Sequence, residues 1–322
     1  MKILFADIFP VAWSEKVTQL GYQADHQSDL SETDLVSAIG DAEILVVRST
    51  KVNAEAMAAA TNLKLVIRAG AGTNTIDKPA AKQAGIAVCN TPGRNAVAVA
   101  ELAMGLILSI DRNIPDNVAD LRRGVWNKKG YSKANGIFGS TLGVLGLGAI
   151  GMELIVRARA FGMNVLVVSK PGRDEKTLQS LDALQVEQVA DMQTLAARSD
   201  FISAHLPATA ETTGILGGNL FDAMKPGAVI INTSRGEILD ETALLKAMDK
   251  KGLRAGLDVY ANEPGASDNS FNSAIAAHAN VYGTHHIGAS TEQAQDAVAE
   301  GVYEVIASFK EGTILNCVNG VG

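Results

Sequence analysis

The stretch Leu142-Gly143-Val144-Leu145-Gly146-Leu147-Gly148-Ala149-Ile150-Gly151 decides the fold of this 322-residue chain. An apolar run ends at Gly146, and Met152 to Phe161 carry helical periodicity, so a G-x-G-x-x-G pattern stands between a strand and a helix. Each glycine has a physical task. Gly146 permits the tight turn, Gly148 lets the backbone approach a pyrophosphate, and Gly151 lets the helix pack closely on the strand. The free N–H groups and positive dipole end of that helix favour an anion. A second strand, Asn164 to Val168, completes a βαβ unit of the right length for a dinucleotide-binding fingerprint.

Outward from this turn the same alternation continues in both directions. Ile3 to Asp7, Glu43 to Arg48, Leu65 to Ala69 and Ile86 to Asn90 read as strands, separated by helical stretches such as Asn53 to Ala60 and Lys78 to Ala84. Phe201 to His205, Val229 to Asn232, Gly256 to Tyr260 and Asn280 to Thr284 read as further parallel strands. Asn95 to Ile110 suits a buried connecting helix, and Asp111 to Ser140 is a polar stretch read as an arm. A last amphipathic helix runs from about Thr291 to Lys310. Strands alternating with helices imply α/β architecture with parallel sheets covered on both faces. The expected fold is two doubly wound domains: a Rossmann-type cofactor domain over residues 96–290 and a discontinuous, flavodoxin-like substrate domain over 1–95 plus 291–322.

Composition sets the outer limits. With 47% hydrophobic and 20% charged residues the chain is globular, and its net charge of −7 argues against a nucleic-acid surface. Asp7 and Pro10 interrupt the N-terminal apolar segment too early for a signal peptide, and no run approaches the length of a membrane span. Cys89 and Cys317 lack C-x-x-C spacing and read as unpaired thiols. A cytoplasmic protein is expected.

Three polar residues follow the carboxyl ends of strands in the second half: Arg235, Glu263 and His286. An isolated Arg or Glu at such a place is ordinarily a solvated loop residue. Joint placement changes that, because ligands of an open parallel sheet bind outside the carboxyl ends of its strands. Arg235 offers a planar charged fork to a carboxylate and the adjacent carbonyl oxygen. His286 can give a proton to that carbonyl or take one from an alcohol, while Glu263 orients the imidazole and favours its charged form. This set suits interconversion of a 2-oxo acid and a 2-hydroxy acid with a nicotinamide cofactor. His26 and His278 lack such placement and read as surface residues. The adjacent pair His285-His286 does not suit a metal, since neighbouring side chains on an extended chain point to opposite faces.

Arg68-Ala69-Gly70-Ala71-Gly72-Thr73-Asn74 with Ile76-Asp77, Asn90-Thr91-Pro92-Gly93, the fingerprint, Asn232-Thr233-Ser234-Arg235-Gly236, Asp258-Val259-Tyr260 with Glu263-Pro264, and His286-Ile287-Gly288-Ala289-Ser290-Thr291 together resemble the D-isomer-specific 2-hydroxyacid dehydrogenases over nearly the whole chain. The last segment is most similar to the phosphoglycerate branch. The resemblance implies a catalytic triad of Arg235, Glu263 and His286, with the substrate carboxylate taken by backbone near Ala71, Gly72 and Asn74 and its phosphate approached by Arg48 and Ser49. It further implies a cofactor lined by Ala149, Ile150, His205, Leu206, Pro207, Thr233, Ser234, Asp258, Gly288 and Ala289, and a homodimer joined through the 111–140 arm. Expected substrates are 3-phosphoglycerate and its keto product, with glyoxylate or hydroxypyruvate as the alternative. A nucleotide-sensing protein without catalysis is the third reading.

The chain departs from the family pattern in four places. Arg48-Ser49-Thr50-Lys51-Val52 is one residue shorter than in many phosphoglycerate members, at the expected phosphate pocket. His285 replaces a proline that usually precedes the catalytic histidine, so the pair offers two candidate acids, of which His286 is the better placed. The chain ends at Asn319-Gly320-Val321-Gly322 without the regulatory extension of some relatives, so serine feedback through such a domain is not expected. Ser169, Lys170 and Arg173 stand where NAD enzymes usually carry an acid, a pattern that favours the 2′-phosphate of NADP(H) over NAD(H).

Overall fold

The computed structural model describes residues 1–28, 30–264 and 270–321. The chain forms two compact units, Met1–Asn95 with Ser290–Gly322 and Ala96–Ala289; Gly322, the end of the expected substrate domain, lies outside the described residues.

In the first unit, β1 (Lys2–Phe5), β2 (Gln23–His26), β3 (Ile44–Val47), β4 (Leu65–Arg68) and β5 (Ala87–Asn90) form a parallel sheet in the order β2-β1-β3-β4-β5. This is the flavodoxin-like order. Alternate residues serve opposite faces, as the two-residue period of a strand requires. Ile3, Phe5, Ile44 and Val46 pack with Ala299, Val302 and Ile306 of the helix Glu292–Lys310. Leu4, Leu45, Val47 and Val66 pack with Leu35, Ile39 and Met57 on the other face. Burial of each such aliphatic side chain is worth about 1.5–3 kcal/mol, which makes the strand ends firm places to hang loops. Residues 316–319 run antiparallel beside β5, bringing the free thiols Cys89 and Cys317 opposite one another.

The second unit holds β6 (Thr141–Leu145), β7 (Asn164–Val168), β8 (Glu187–Val189), β9 (Phe201–Ala204), β10 (Val229–Asn232), β11 (Arg254–Leu257) and β12 (Val281–Gly283). All pairings are parallel, in the order β12-β11-β10-β9-β6-β7-β8. Counted from β6, this is the Rossmann order with a seventh strand added, and its direction reverses between β6 and β9, beside the glycine turn. Leu142, Val144, Val165 and Ile231 face the helices Ala96–Arg112 and Ala149–Ala160 through Ala103, Ile107, Leu154 and Ala158. Leu145, Ile202, Ile230 and Leu257 face Phe221, Leu244 and Met248. Among the described residues no helix is long and apolar enough to cross a membrane.

The structure corrects several expectations. The strand expected over Gly256–Tyr260 is Arg254–Leu257, because β11 pairs residue by residue with Val229–Asn232 and ends where Asp258 turns into the loop. β2 and β8 were not expected: both are edge strands, with sequences Gln-Ala-Asp-His and Glu-Gln-Val that carry no apolar run. The polar stretch 111–140 contains a helix, Ile114–Arg122, introduced by Asn113 in a left-handed conformation. None of its residues is buried; Ile114, Leu121, Val125 and Trp126 of this stretch are exposed apolar side chains.

Candidate active site

Each glycine of the fingerprint is required for a different reason. Gly146 has φ +100°, and a Cβ there would lie 2.2 Å from the His205 carbonyl oxygen. A Cβ at Gly151 would lie 2.0 Å from the Gly146 carbonyl oxygen, so the helix Ala149–Ala160 reaches the strand only because position 151 has no side chain. Around Gly148, by contrast, a Cβ would meet nothing within 4 Å. Gly148 is the N-cap of that helix and supplies no capping side chain, leaving the N–H groups around Ala149 and Ile150 open to an anion.

The neighbouring loops all lie at the carboxyl edge of the same sheet. After β9 come His205, Leu206 and Pro207. His205 shares a 2.9 Å hydrogen bond between Nε2 and Ser203 Oγ, while its buried Nδ1 has no partner among the described residues. Burial pushes its pKa down to about 4, so the ring is neutral near pH 7. Beyond β10 lie Thr233, whose buried Oγ1 also has no partner among the described residues, and Ser234, whose hydroxyl donates to the Ala204 carbonyl at 2.5 Å. Orphaned buried polar atoms are rare. Two of them beside an open, uncapped helix start fit a dinucleotide.

Three other residues form the polar end of this edge. Asn232 donates to the Arg235 carbonyl at 2.9 Å and accepts from Ser234 N–H at 3.1 Å, folding the chain back after β10. Gly236 then passes so close to Tyr260 that a Cβ would stand 2.0 Å from its carbonyl. This contact places Arg235 beside the Asp258–Glu263 loop. Glu263 accepts from Tyr260 N–H at 3.0 Å through Oε1 and pairs through Oε2 with His286 Nδ1 at 2.7 Å. Burial alone pushes the Glu263 carboxyl up; the His286 hydrogen bond, the Tyr260 N–H and the charge of Arg235 outweigh it and hold the group below the usual carboxylate range. An ionised Glu263 has no proton to give. The proton between them therefore sits on Nδ1, and Nε2 is the atom left to exchange one.

His286 has φ +54°, a left-handed conformation uncommon for a non-glycine residue. Asp258 holds it there. The Asp258 carbonyl accepts from His286 N–H at 2.8 Å, Oδ1 accepts from Thr284 Oγ1 at 2.6 Å and Ile287 N–H at 2.8 Å, and Oδ2 accepts from Gly288 N–H at 2.8 Å. Asp258, 1% exposed, is thus the anchor of the loop that runs to Ala289. His285 is exposed and makes no hydrogen bond among the described residues; of the two histidines, His286 carries the carboxylate partner.

Ser169 and Lys170 are exposed at the end of β7, but Arg173 is turned back, donating to the Val168 carbonyl at 2.9 Å and to Gln188 Oε1 at 2.8 Å. Arg48, Ser49, Ala71, Gly72 and Asn74 belong to the first unit, on the loops after β3 and β4. Ser203 and Thr284 carry no motif in the sequence, and Asn232 and Tyr260, although they stand inside the family-like segments, have supporting roles that residue type alone does not reveal.

Doubly wound topology and the glycine turn define the class, a protein with a dinucleotide-binding Rossmann domain, and the His286–Glu263 pair lies on the same sheet. The chain belongs to the D-isomer specific 2-hydroxyacid dehydrogenase family, whose NAD binding domain matches residues 104–288. It is 42% identical over 294 residues to D-3-phosphoglycerate dehydrogenase of Methanocaldococcus jannaschii, covering 90% of this chain and 54% of that protein. With hydroxypyruvate reductase of Thermotoga maritima it shares 42% identity over 286 residues, 88% of this chain and 89% of the relative. A glyoxylate reductase structure from Paecilomyes thermophila superposes with a TM-score of 0.84 at 28% identity, covering 99% of this chain and 98% of that one. The chain spans little more than half the length of the phosphoglycerate dehydrogenases it matches.

Proposed function

We propose that this protein is an NAD(P)-dependent D-2-hydroxyacid dehydrogenase that interconverts a 2-oxo acid and its D-2-hydroxy acid. The observation that carries this reading is the 2.7 Å pair between His286 and an ionised Glu263, on the same sheet edge as the open Gly148 turn. The cofactor, when bound, supplies or accepts the hydride. Gly146, Gly148 and Gly151 with Ala149 and Ile150 hold its pyrophosphate, and His205, Thr233 and Asp258 line its path. Arg235 binds the substrate carboxylate and its neighbouring carbonyl oxygen. His286 gives the carbonyl oxygen a proton from Nε2 in reduction and takes it back in oxidation, while Glu263 stabilises the imidazolium in between.

The leading substrate pair is 3-phosphoglycerate and 3-phosphohydroxypyruvate, supported by the phosphoglycerate dehydrogenase relatives. Reduction of hydroxypyruvate or glyoxylate is the second reading, supported by the shorter Arg48–Val52 loop and by the Thermotoga relative. Exposed Ser169 and Lys170, with no carboxylate at the end of β7, favour NADP(H); Arg173, whose guanidinium is engaged by Gln188 and the Val168 carbonyl, adds its charge to that loop. The exposed apolar side chains of Ile114, Leu121 and Trp126 suit a homodimer joined through residues 111–140. A cytoplasmic location belongs to the same reading. Oxidation of NADPH and NADH is measured with phosphohydroxypyruvate, hydroxypyruvate and glyoxylate; turnover with at least one is expected, and none with any 2-oxo acid refutes the proposal.

A further inference from the structure

The first unit has its own topological switch point. Strand order β2-β1-β3-β4-β5 sends the chain to one side of β1 and then to the other, so a crevice opens between the loops that follow β1 and β3. In sheets of this order that crevice is where a ligand anion settles, because successive backbone N–H groups there form a concave nest. Here the nest is built and already filled. The N–H groups of Arg48, Ser49 and Thr50 converge on one oxygen, Asp7 Oδ2, at 2.6, 3.1 and 3.2 Å. Thr50 is tied down from its other side, its hydroxyl donating to the Ala6 and Leu30 carbonyls at 3.3 Å each.

An internal carboxylate in that position has two consequences. It neutralises three donors that would otherwise bind a ligand phosphate or carboxylate, and it fixes the backbone from which Arg48 projects. Among the described residues the Arg48 guanidinium itself has a single weak partner, the Ser290 hydroxyl at 3.4 Å. It keeps nearly all its donors for something else.

We propose that Asp7 is a positioning residue of the first unit: its carboxylate occupies the switch-point nest as a tethered stand-in for a ligand anion, and thereby hands anion recognition to the Arg48 side chain. This rests on the reading of Arg48 as a substrate-facing residue. Nothing in the residues around Asp7 announces the role, since its three donors come from a loop more than forty residues away in sequence.

Full-length Asp7→Ala and Asp7→Asn proteins are compared with the parent, using formate as the probe for the vacated nest. Asp7→Ala is expected to raise KM for the 2-oxo acid about tenfold, the effect of losing one charge-assisted contact, with kcat within about threefold and KM for the dinucleotide unchanged. Formate is expected to lower that KM and to raise the Tm of Asp7→Ala but not of the parent, because only the variant offers an empty nest. Asp7→Asn keeps the shape and one acceptor, so it falls between the two and carries the test if Asp7→Ala does not fold. Unchanged KM in a folded variant, equal loss in kcat and KM, or a formate effect the same in parent and variant overturns the proposal. The Tm arm needs no substrate: a parent inactive on every 2-oxo acid overturns the proposed function and leaves the nest to be judged by formate.

Discussion

Alanine at position 148 is expected to separate dinucleotide binding from folding. Gly148 has φ −76° and ψ −171°, values any L-residue adopts, and an added Cβ meets no atom within 4 Å. The folding cost is limited to the poorer N-cap preference of alanine, about 1 kcal/mol, largely offset by about 0.4–1 kcal/mol from a less flexible unfolded chain. At roughly 2–4 °C per kcal/mol for a unit of this size, Tm stays within about 3 °C. Binding fares differently, because the methyl group enters the space where backbone N–H groups must approach a pyrophosphate. Losing one or two charge-assisted hydrogen bonds, each worth about 1.5–3 kcal/mol, weakens binding by roughly tenfold for a single weak bond to about ten-thousandfold for two strong ones. Gly151→Ala is the counterpart. Helix propensity alone promises about 1 kcal/mol of stabilisation, yet the new Cβ stands 2.0 Å from the Gly146 carbonyl oxygen, backbone that cannot move aside cheaply. Overpacking of this kind costs about 1–3 kcal/mol or more, so Tm falls and binding falls with it. Thermal unfolding by circular dichroism and titration of NADPH or NADH fluorescence read both quantities. A Gly148→Ala protein that binds dinucleotide within about threefold of the parent, or a Gly151→Ala protein more stable than it, refutes the reasoning.

Other consequences follow from the same geometry. His286→Ala is expected to lower kcat by about 10²–10⁴-fold with dinucleotide affinity unchanged, while His285→Ala keeps turnover; the opposite pattern in a steady-state assay moves the proton donor to His285. Glu263 is held below its ordinary pKa of 4.5, so its stabilising contribution is complete above that value and disappears as pH falls through the lower folded one. Acid-unfolding curves of the parent and Glu263→Gln should therefore differ most near neutrality and converge at low pH. His205 acts in the other sense: unfolded it binds a proton near 6.5, folded only near 4, so the native state loses up to about 3 kcal/mol as pH drops across that window. His205→Asn should show a flatter dependence of Tm on pH there, and an unchanged slope contradicts the assignment. Ser169→Asp is expected to raise KM for NADPH at least tenfold and lower that for NADH, since a carboxylate repels a 2′-phosphate and accepts from a 2′-hydroxyl; equal effects on both cofactors would place the ribose elsewhere.

Much of this was legible in the chain because buried parallel strands advertise themselves. Ile44-Leu45-Val46-Val47 and Val229-Ile230-Ile231-Asn232 are buried along their whole length and read as uninterrupted runs. Gln23–His26 and Glu187–Val189 lie at sheet edges and, apart from Val189, are partly or fully exposed, so nothing in their composition marks them. The exposed helix Ile114–Arg122 escaped for a related reason, having no buried stripe to give it a period against its surroundings. At the site, the glycine turn and the Arg235, Glu263 and His286 positions followed from residue type and from their place after strands. The devices that hold them are long-range: Asp258 reaching Gly288, Gly236 passing Tyr260, Asp7 filling the Arg48–Thr50 nest. Contacts of that range depend on sheet order, which a single sequence leaves open. Arg173 illustrates the limit from the other side, since its charge is legible in sequence but its engagement with Gln188 is not.

In the proposed reaction His286, oriented by Glu263, delivers a proton to the carbonyl oxygen of a 2-oxo acid while a bound nicotinamide delivers a hydride to one face of its C2. Reduction of hydroxypyruvate with nicotinamide cofactor deuterated at the transferred position, followed by chiral chromatography and mass spectrometry, tests it directly. A D-2-hydroxy acid carrying one deuterium at C2 is expected; an L-configured product, or one without deuterium at that carbon, contradicts this mechanism.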